Sequence, residues 1–299
     1  MTPWTGPGLS LKKNLAESFT SSRMAGRIIN IKPLIPDGRF HVNHILRAAG
    51  VSQDKGHMFR ITPELQSQLQ FWLVMLRVCD GNVSIPDPDV RPPSWAINIF
   101  TDASGGEFGD DGRRTGRGVG AVAYGQWAYV PWSSTICRDP LCSDGRQLNH
   151  KMSAPELVGP LLAVSAGFDL CKGNPVKVWV DNSSSVGIWK KGYSTTCALS
   201  TTLVMALATV ASGLGCWIEV VKITRCSNSG ADMVDALSKS DFARFWGLCD
   251  GSGFDCPLDP AWVPVSLIAW LQSPCPDEGL GQRTLGEISQ RTGVLGYSV

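Results

Sequence analysis

The segment Ile97-Asn98-Ile99-Phe100-Thr101-Asp102-Ala103-Ser104-Gly105-Gly106 carries the first signal of both the fold and the chemistry of this chain. Apolar side chains alternate with others up to Asp102, and small residues follow, which is the pattern of a β-strand that ends in a turn. Such a strand can hold a carboxylate at the rim of a sheet without burying it among apolar side chains. An aspartate that merely starts a turn produces the same pattern, so the meaning of Asp102 depends on the other acidic residues.

The composition is that of an ordinary globular protein, with 299 residues of which 43% are apolar and 18% charged. This length predicts one main domain with smaller flanking modules. No apolar run is long enough to span a membrane, and Met1 to Ser10 lack the basic start and apolar centre of a signal peptide. The ten cysteines are scattered without a Cys-x-x-Cys pair, which favours reduced thiols. We therefore expect an intracellular protein, in the cytoplasm or nucleus, with no membrane partner.

The charge is distributed unevenly along the chain. Residues 1–60 carry nine basic and three acidic side chains, a net charge of +6, which leaves −5 for the rest of a chain whose total is +1. A basic flank beside a mildly acidic domain predicts a polyanionic partner that the flank holds. A solvated, basic N-terminus without a partner is the alternative.

The order of local patterns divides the chain into five segments. These are a flexible basic N-terminus at 1–22, a helical region at 23–84, a Pro-rich linker at 85–94, an α/β domain at 95–250 and a C-terminal tail at 251–299. In the helical region we predict helices at Val42–Ala49 and Thr62–Cys79. In the second of these, Thr62 is the expected N-cap, and one apolar face is expected from Leu65, Leu69, Trp72, Leu73 and Leu76.

Three strands, a helix, a strand, two helices, a strand and a last helix are predicted for the α/β domain. The strands are expected at Trp95–Asp102, Val119–Tyr124, Gln126–Trp132, Val176–Asp181 and Cys216–Ile223, and the helices at Ala154–Cys171, Ser184–Lys191, Thr196–Ser212 and Ala231–Cys249. The first three strands form hairpins and are antiparallel, whereas the later strands follow helices and are parallel. The sequence therefore predicts a five-stranded mixed sheet flanked by helices.

Acidic residues lie at the ends of two of these strands and in the first turns of two of these helices. Asp102 and Asp181 each end a strand, and both would project from one sheet edge if the strands are adjacent. Glu156 lies in the first turn of a helix, and Asp232 and Asp235 lie where the last helix begins. Hard divalent cations take oxygen ligands, and two such ions about 4 Å apart hydrolyse phosphodiesters. The acids taken together therefore favour a metal site.

Each acid also has a structural interpretation when it is considered alone. Asp102 fits a turn, and Asp181 fits an N-cap before Ser183–Ser185. Glu156 fits a capping box with Ser153, and Asp232 and Asp235 fit first-turn helix acids that favour the helix dipole.

Four motifs in this order resemble a ribonuclease H domain. They are Thr101-Asp102-Ala103-Ser104, the helix-borne Glu156, Val180-Asp181-Asn182 and Asp235-Ala236-Leu237-Ser238-Lys239. The last motif resembles the end of ribonuclease H domains in retroelement reverse transcriptases. The resemblance covers about residues 95–248 and implies a ribonuclease H-like fold, two Mg²⁺ or Mn²⁺ ions and hydrolysis of the RNA strand of an RNA–DNA hybrid.

The resemblance also implies roles for individual residues. Asp102, Glu156 and Asp181 would be catalytic metal ligands, with Asp102 bridging both ions. The fourth ligand would be Asp235, which fits the Asp-Ala-Leu-Ser pattern, or Asp232, which fits the Asn-x-x-Ala-Asp spacing from Asn228. Nucleic-acid contacts would come from Ser104, Asn182, Lys190, Lys191 and Arg225, the last standing where many members carry a loop histidine.

The flanking region narrows the resemblance. Ala25 to Arg39, Ile61 to Trp72 and Gly81 resemble the region after the polymerase palm in DIRS-type tyrosine-recombinase retrotransposons. This implies a thumb or connection that grips a primer–template duplex, and a polymerase domain or larger complex as partner. The alternative function is a catalytically inactive ribonuclease H-like module that binds nucleic acid or protein.

Overall fold

The structure is a computed structural model that describes residues 18–32, 35, 38–53, 61–79, 96–104, 107–108, 114–115, 118–131, 153–223, 229–251, 259–272 and 279–292. The chain divides into two compact units, Met1–Asp89 and Val90–Val299. The division falls inside the segment predicted as a linker, whose conformation lies outside the described residues. Within the described ranges, no helix combines the length and apolar character needed to cross a membrane.

The N-terminal unit is helical. It contains α1 (Ser18–Ile31), α2 (Asn43–Gln53) and α3 (Pro63–Cys79), with a 3₁₀ turn at Gly38–His41. Its largest buried side chains include Phe40, Ile45 and Trp72. The predicted start of α3 is confirmed, because the Leu65 amide donates to Thr62 Oγ1 at 3.3 Å.

The predicted apolar face of α3 is only half right. Leu65 and Trp72 are buried, but Leu73 and Leu76 are about half exposed, at 51% and 50%. The buried face instead includes Gln68, whose Oε1 accepts from the His44 amide at 2.9 Å. On the same face the Trp72 indole donates to the His41 carbonyl at 2.7 Å. Polar contacts to the neighbouring backbone therefore orient α3 and turn Leu73 and Leu76 outward.

The second unit is built on a mixed sheet. Its strands are β1 (Ile97–Ser104), β4 (Gly118–Ala123), β5 (Gln126–Pro131), β6 (Pro175–Val180), β7 (Trp217–Lys222) and β8 (Asp259–Pro260), while β2 (Glu107–Phe108) and β3 (Arg114–Thr115) form a separate two-stranded ribbon. The order across the sheet is β7-β6-β1-β4-β5-β8. Strand β4 runs antiparallel to β1 and β5, and the other pairs are parallel. The predicted α/β class and the change from antiparallel to parallel pairing are confirmed.

The predicted number of five strands is wrong, because β8 adds a sixth at the edge of the sheet. The Asp259 amide donates to the Gly125 carbonyl at 2.8 Å, and the Ala261 amide donates to the Trp127 carbonyl at 2.7 Å. An Asp-Pro pair has no strand signal of its own. Proline lacks an amide donor and is therefore tolerated at such an edge.

Helices pack around the sheet and against one another. They are α4 (Ser153–Ala166), α5 (Phe168–Cys171), α6 (Ser183–Lys191), α7 (Ala198–Gly213), α8 (Ser229–Ser238), α9 (Phe242–Gly251), α10 (Val265–Gln272) and α11 (Leu280–Thr292). Two predicted continuous helices are in fact pairs: Ala154–Cys171 is interrupted at Gly167, and Ala231–Cys249 is interrupted around Ser240. Ser240 adopts a positive φ of 60°, which no helical residue has.

Two close contacts hold helices against the centre of the sheet. A Cβ atom at Gly159 of α4 would lie 2.8 Å from the Thr101 Cβ of β1. A Cβ atom at Gly120 of β4 would lie 2.8 Å from the Leu237 Cβ of α8. Only glycine permits these approaches, so the two helices lie unusually close to β1 and β4.

The segment predicted as a C-terminal tail is part of the second unit. Glu287 of α11 accepts hydrogen bonds from the amides of Val265 and Ser266, at 2.6 and 2.8 Å, and so caps the start of α10. Helix α11 also meets α7 at Gly281, where a Cβ atom would lie 2.8 Å from the Thr209 Cβ and 2.9 Å from the Ala206 Cα. In place of a tail, Val265–Gln272 and Leu280–Thr292 are thus packed helices.

Gly281→Val is expected to destabilise the second unit by about 1–3 kcal/mol, because the added side chain overpacks the contact between α7 and α11. Gly286→Ala is the matched control in the same helix, since nothing lies within 4 Å of its Cβ position. It should stabilise the protein by about 0.5–1 kcal/mol. Urea unfolding of both variants checks the two signs, and an unchanged midpoint for Gly281→Val would contradict the packing.

The stability of the N-terminal unit is expected to fall between pH 6.5 and 4. Burial lowers the pKa of His41 from 6.5 to about 4, and His41 stacks on Phe71 with ring centroids 3.8 Å apart. Below pH 6.5 His41 binds a proton in the unfolded state but stays neutral in the folded state. This difference lowers the free energy of unfolding by up to about 3 kcal/mol as the pH falls to 4. Burial and Arg47 lower the pKa of His44 in the same direction.

His41→Phe keeps the stacking and should remove most of this pH dependence. The measurement is urea unfolding of the full chain at several pH values. Unfolding of the N-terminal unit is monitored through the ¹⁹F resonance of 5-fluorotryptophan incorporated at Trp72. Equal pH slopes for the wild type and His41→Phe would show that His41 is not the cause.

Candidate metal centre

Parallel pairing of β1 with β6 brings Asp102 and Asp181 side by side. The register runs from Ile97 opposite Val176 to Phe100 opposite Trp179, so each aspartate lies two residues beyond the last paired position. Both carboxylates are half-buried. The prediction that adjacent strands present the two acids at one sheet edge is confirmed.

Strand β1 does not end on Asp102 as predicted. It continues to Ser104 and pairs with β4, with Asp102 opposite Gly120. Strand β6 ends at Val180. Asp102 therefore lies within a strand that is paired with β4. Asp181, in contrast, is the first residue after the end of β6.

Glu156 comes from the first turn of α4 and is almost completely buried, with 4% of its surface exposed. Its Oε2 atom is shielded from solvent. The close contact between Gly159 and Thr101 fixes this turn of α4 against β1. A carboxylate in the first turn also benefits from the positive end of the helix dipole.

The three carboxylates converge on one point. Asp102, Glu156 and Asp181 each offer an oxygen atom, and these atoms all lie within 4.8 Å of one another. Three carboxylate charges at this distance, one of them buried, repel one another strongly. A bound cation would neutralise this repulsion. An all-oxygen set of this kind suits a hard divalent cation. The three side chains could therefore hold a metal ion.

Ser238 is a site residue that the sequence interpretation missed. Its hydroxyl donates to Asp102 Oδ2 at 2.5 Å and also lies 3.0 Å from the main-chain oxygen of Asp235. Ser238 is fully buried at the end of α8. The hydroxyl engages one oxygen of Asp102 and so orients its carboxylate. A signal was present, because Ser238 lies one helical turn after Asp235 in Asp-Ala-Leu-Ser.

Both candidates for the fourth acid lie outside the cluster of three. Asp235 Oδ1 is 2.8 Å from Lys239 Nζ, and Asp235 Oδ2 is 3.1 Å from Arg244 Nη1. Asp232 Oδ1 is 3.8 Å from Arg244 Nη2 and is largely exposed. A cavity of about 140 Å³ is lined by both residues together with Asp102, Asp181 and Lys239. The fourth acids thus share the cavity, while basic side chains engage them.

The residues predicted to contact nucleic acid lie on different elements, where the structure describes them. Ser104 ends β1, and Lys190 and Lys191 are exposed in the last turn of α6. Asn182 caps α6, because its Oδ1 accepts from the amides of Ser184 and Ser185 at 2.8 and 3.3 Å. The alternative in which Asp181 caps this helix is therefore wrong. Arg225, like the side chain of Ser153, lies outside the described residues.

Ser238→Ala is expected to weaken binding of Mn²⁺ by about 10-fold or more, because Asp102 loses the hydroxyl that orients its carboxylate. Isothermal titration calorimetry measures the change without reference to any catalytic activity. Ser212→Ala, at the exposed end of α7, is the matched control and should bind Mn²⁺ as the wild type does. Equal affinities for all three proteins would remove Ser238 from the site.

Comparisons with known proteins supply no relative for this chain. No model of a protein family, no curated protein and no solved structure matches it. The function is therefore inferred from the fold and from the geometry of the carboxylates.

Proposed function

We propose that this chain is a metal-dependent endonuclease of the ribonuclease H type that hydrolyses the RNA strand of RNA–DNA hybrids. It would act as part of a retroelement reverse transcriptase or of a protein derived from one. The observation that carries the proposal is the convergence of Asp102, Glu156 and Asp181, whose oxygen atoms lie within 4.8 Å of one another. These acids come from two adjacent parallel strands and a helix, in the chain order that the ribonuclease H resemblance implies.

The architecture around the acids supports the same proposal. Strands β1, β4 and β5 are antiparallel, whereas β1, β6 and β7 are parallel. This is the strand pattern that the resemblance implies for the sheet. Helix α4 supplies Glu156, and helix α8 supplies the later acids, again as the motifs imply.

Asp102, Glu156 and Asp181 would hold one divalent ion, and Asp102 and Asp235 would hold a second. The oxygen donors favour Mg²⁺ or Mn²⁺ over metals that prefer sulfur or imidazole. When bound, such ions lower the pKa of a water molecule and stabilise charge on the leaving oxygen of a phosphodiester. Asp232 is the alternative to Asp235.

The chain's own groups would prepare the site. The Ser238 hydroxyl holds one oxygen of Asp102, and the packing of α4 on β1 keeps Glu156 in place. Ser104 and Asn182 flank the carboxylates and would contact the hybrid, for which 2′-hydroxyl groups in the minor groove distinguish RNA from DNA. Lys190 and Lys191 would bind backbone phosphates, as would Arg225. The basic N-terminal region would add affinity for the duplex.

A non-catalytic module that binds nucleic acid or protein is the second candidate. One observation favours it: both oxygens of Asp235 are engaged by Lys239 and Arg244 rather than gathered with the three other carboxylates. A module that no longer cleaves would tolerate such pairing. The two candidates differ in whether metal ions produce cleavage.

Asp102→Asn and Asp181→Asn are expected to reduce cleavage of a labelled RNA–DNA hybrid by more than about 100-fold, since each removes a charged metal ligand worth several kcal/mol. Asp169→Asn removes an exposed acid from α5 and serves as the matched control with full activity. Products are resolved by gel after incubation with Mg²⁺ or Mn²⁺, and near-ultraviolet circular dichroism confirms that each variant is folded.

The same assay decides between the two candidates. Cleavage restricted to the RNA strand of the hybrid, and lost in both aspartate variants, supports the nuclease. If the wild-type protein binds the hybrid but does not cleave it with either metal, the result would contradict the nuclease function and favour the binding module.

A further inference from the structure

Lys239 and Arg244 form a cationic pair around Asp235. Lys239 Nζ lies 2.8 Å from Asp235 Oδ1 and 3.1 Å from Oδ2. Arg244 Nη1 lies 3.1 Å from the same Oδ2, and its Nη2 is 3.8 Å from Asp232 Oδ1. Both oxygens of Asp235 are therefore occupied by positive groups, although the side chain lines the cavity shared with Asp102 and Asp181.

The break between α8 and α9 is what brings Arg244 to Asp235. In a continuous helix these residues, nine positions apart, would be separated by about 13.5 Å along the axis. Ser240, with a φ of 60°, instead turns the chain back. The Asp241 carboxylate then starts α9 by accepting from the Arg244 amide at 3.0 Å.

Packing fixes α9 independently of these ion pairs. The Tyr129 hydroxyl and Ser240 Oγ are 2.5 Å apart, which ties the break to β5. Phe245 is fully buried in the core with Val122 and Leu237. Removal of a charge at Lys239 or Arg244 therefore leaves the anchors of α9 intact.

Lys239 and Arg244 are exposed enough to exchange the Asp235 carboxylate for another anion. Lys239 and Arg244 are 47% and 46% exposed, whereas Asp235 is 24% exposed. Ion pairs at such partly exposed positions are screened by water and are weak. A phosphodiester group offers the same kind of acceptor, and the guanidinium fork matches phosphate oxygens well.

We propose that Lys239 and Arg244 act as a latch on Asp235 that a backbone phosphate of the nucleic acid opens. In the free protein the latch keeps Asp235 from binding metal, and the three other carboxylates hold one ion. A phosphate that enters beside the cavity takes Asp235's place on Lys239 and Arg244. Asp235 then completes the site of a second ion, so the second ion binds together with the substrate. This inference rests on the proposed function, because it takes the ligand to be a nucleic acid.

The test counts Mn²⁺ ions by electron paramagnetic resonance, in the absence and presence of a hybrid whose RNA strand carries uncleavable 2′-O-methyl groups. The wild type should bind one ion alone and two with the hybrid. Lys239→Gln/Arg244→Gln should bind the second ion at least 10-fold more tightly than the wild type without any nucleic acid. Each single substitution should give a smaller change in the same direction.

Two further variants serve as controls. Asp235→Asn added to the double substitution should return the count to one ion, because it removes the proposed ligand. Lys172→Gln deletes one exposed positive charge just before the start of β6, at the end of the strand opposite to Asp181, and should behave as the wild type does. Circular dichroism verifies the fold of each variant.

Two results would overturn the latch: equal second-ion affinity in the wild type and the double substitution, or two ions of similar affinity in the free wild type. Neither result depends on hydrolysis. If the expected ion counts are observed but a natural hybrid is never cleaved, the nuclease function is contradicted and the latch is supported. If the hybrid is cleaved but the ion count does not change with nucleic acid or with the double substitution, the latch is contradicted and the nuclease function is supported.

Discussion

The parallel register between β1 and β6 is the constraint on which the site depends. Side chains alternate across a strand, so a slip of one residue would send either Asp102 or Asp181 to the opposite face. Two contacts fix the register: the Trp179 indole donates to Asn98 Oδ1 at 2.9 Å, and Trp179 stacks on Phe100 with planes 11° apart. Both join neighbouring strands just before the two aspartates. The register therefore determines whether the carboxylates meet.

The helices add the remaining groups only because they approach the sheet closely. Gly159 brings α4 onto Thr101 and so delivers Glu156, and Gly120 admits Leu237 and so delivers Ser238 to Asp102. The same helix, α8, also presents Asp235 to the cavity. A single sheet edge thus collects three carboxylates, a hydroxyl that orients one of them, and a further acid, Asp235, that is paired with Lys239 and Arg244.

The sequence predicted what depends on local patterns. Alternation located β1 and its aspartate, and the strand patterns at Val119–Tyr124, Gln126–Trp132 and Val176–Asp181 located β4, β5 and β6. Features set by distant contacts were missed. The face of α3 follows from hydrogen bonds of Gln68 and Trp72 to other segments, and β8 exists only through pairing with β5. The break at Ser240 is tied to Tyr129, 111 residues away in sequence, so the contact of Arg244 with Asp235 had no local signal.

The proposed function depends on the binding of a divalent cation by Asp102, Glu156 and Asp181. The most direct test is a crystal structure of the protein soaked in Mn²⁺, with anomalous diffraction recorded at the manganese absorption edge. An anomalous peak within bonding distance of oxygen atoms from all three carboxylates is expected. Saturating Mn²⁺ that leaves this position empty, or that binds only elsewhere on the protein, would contradict it.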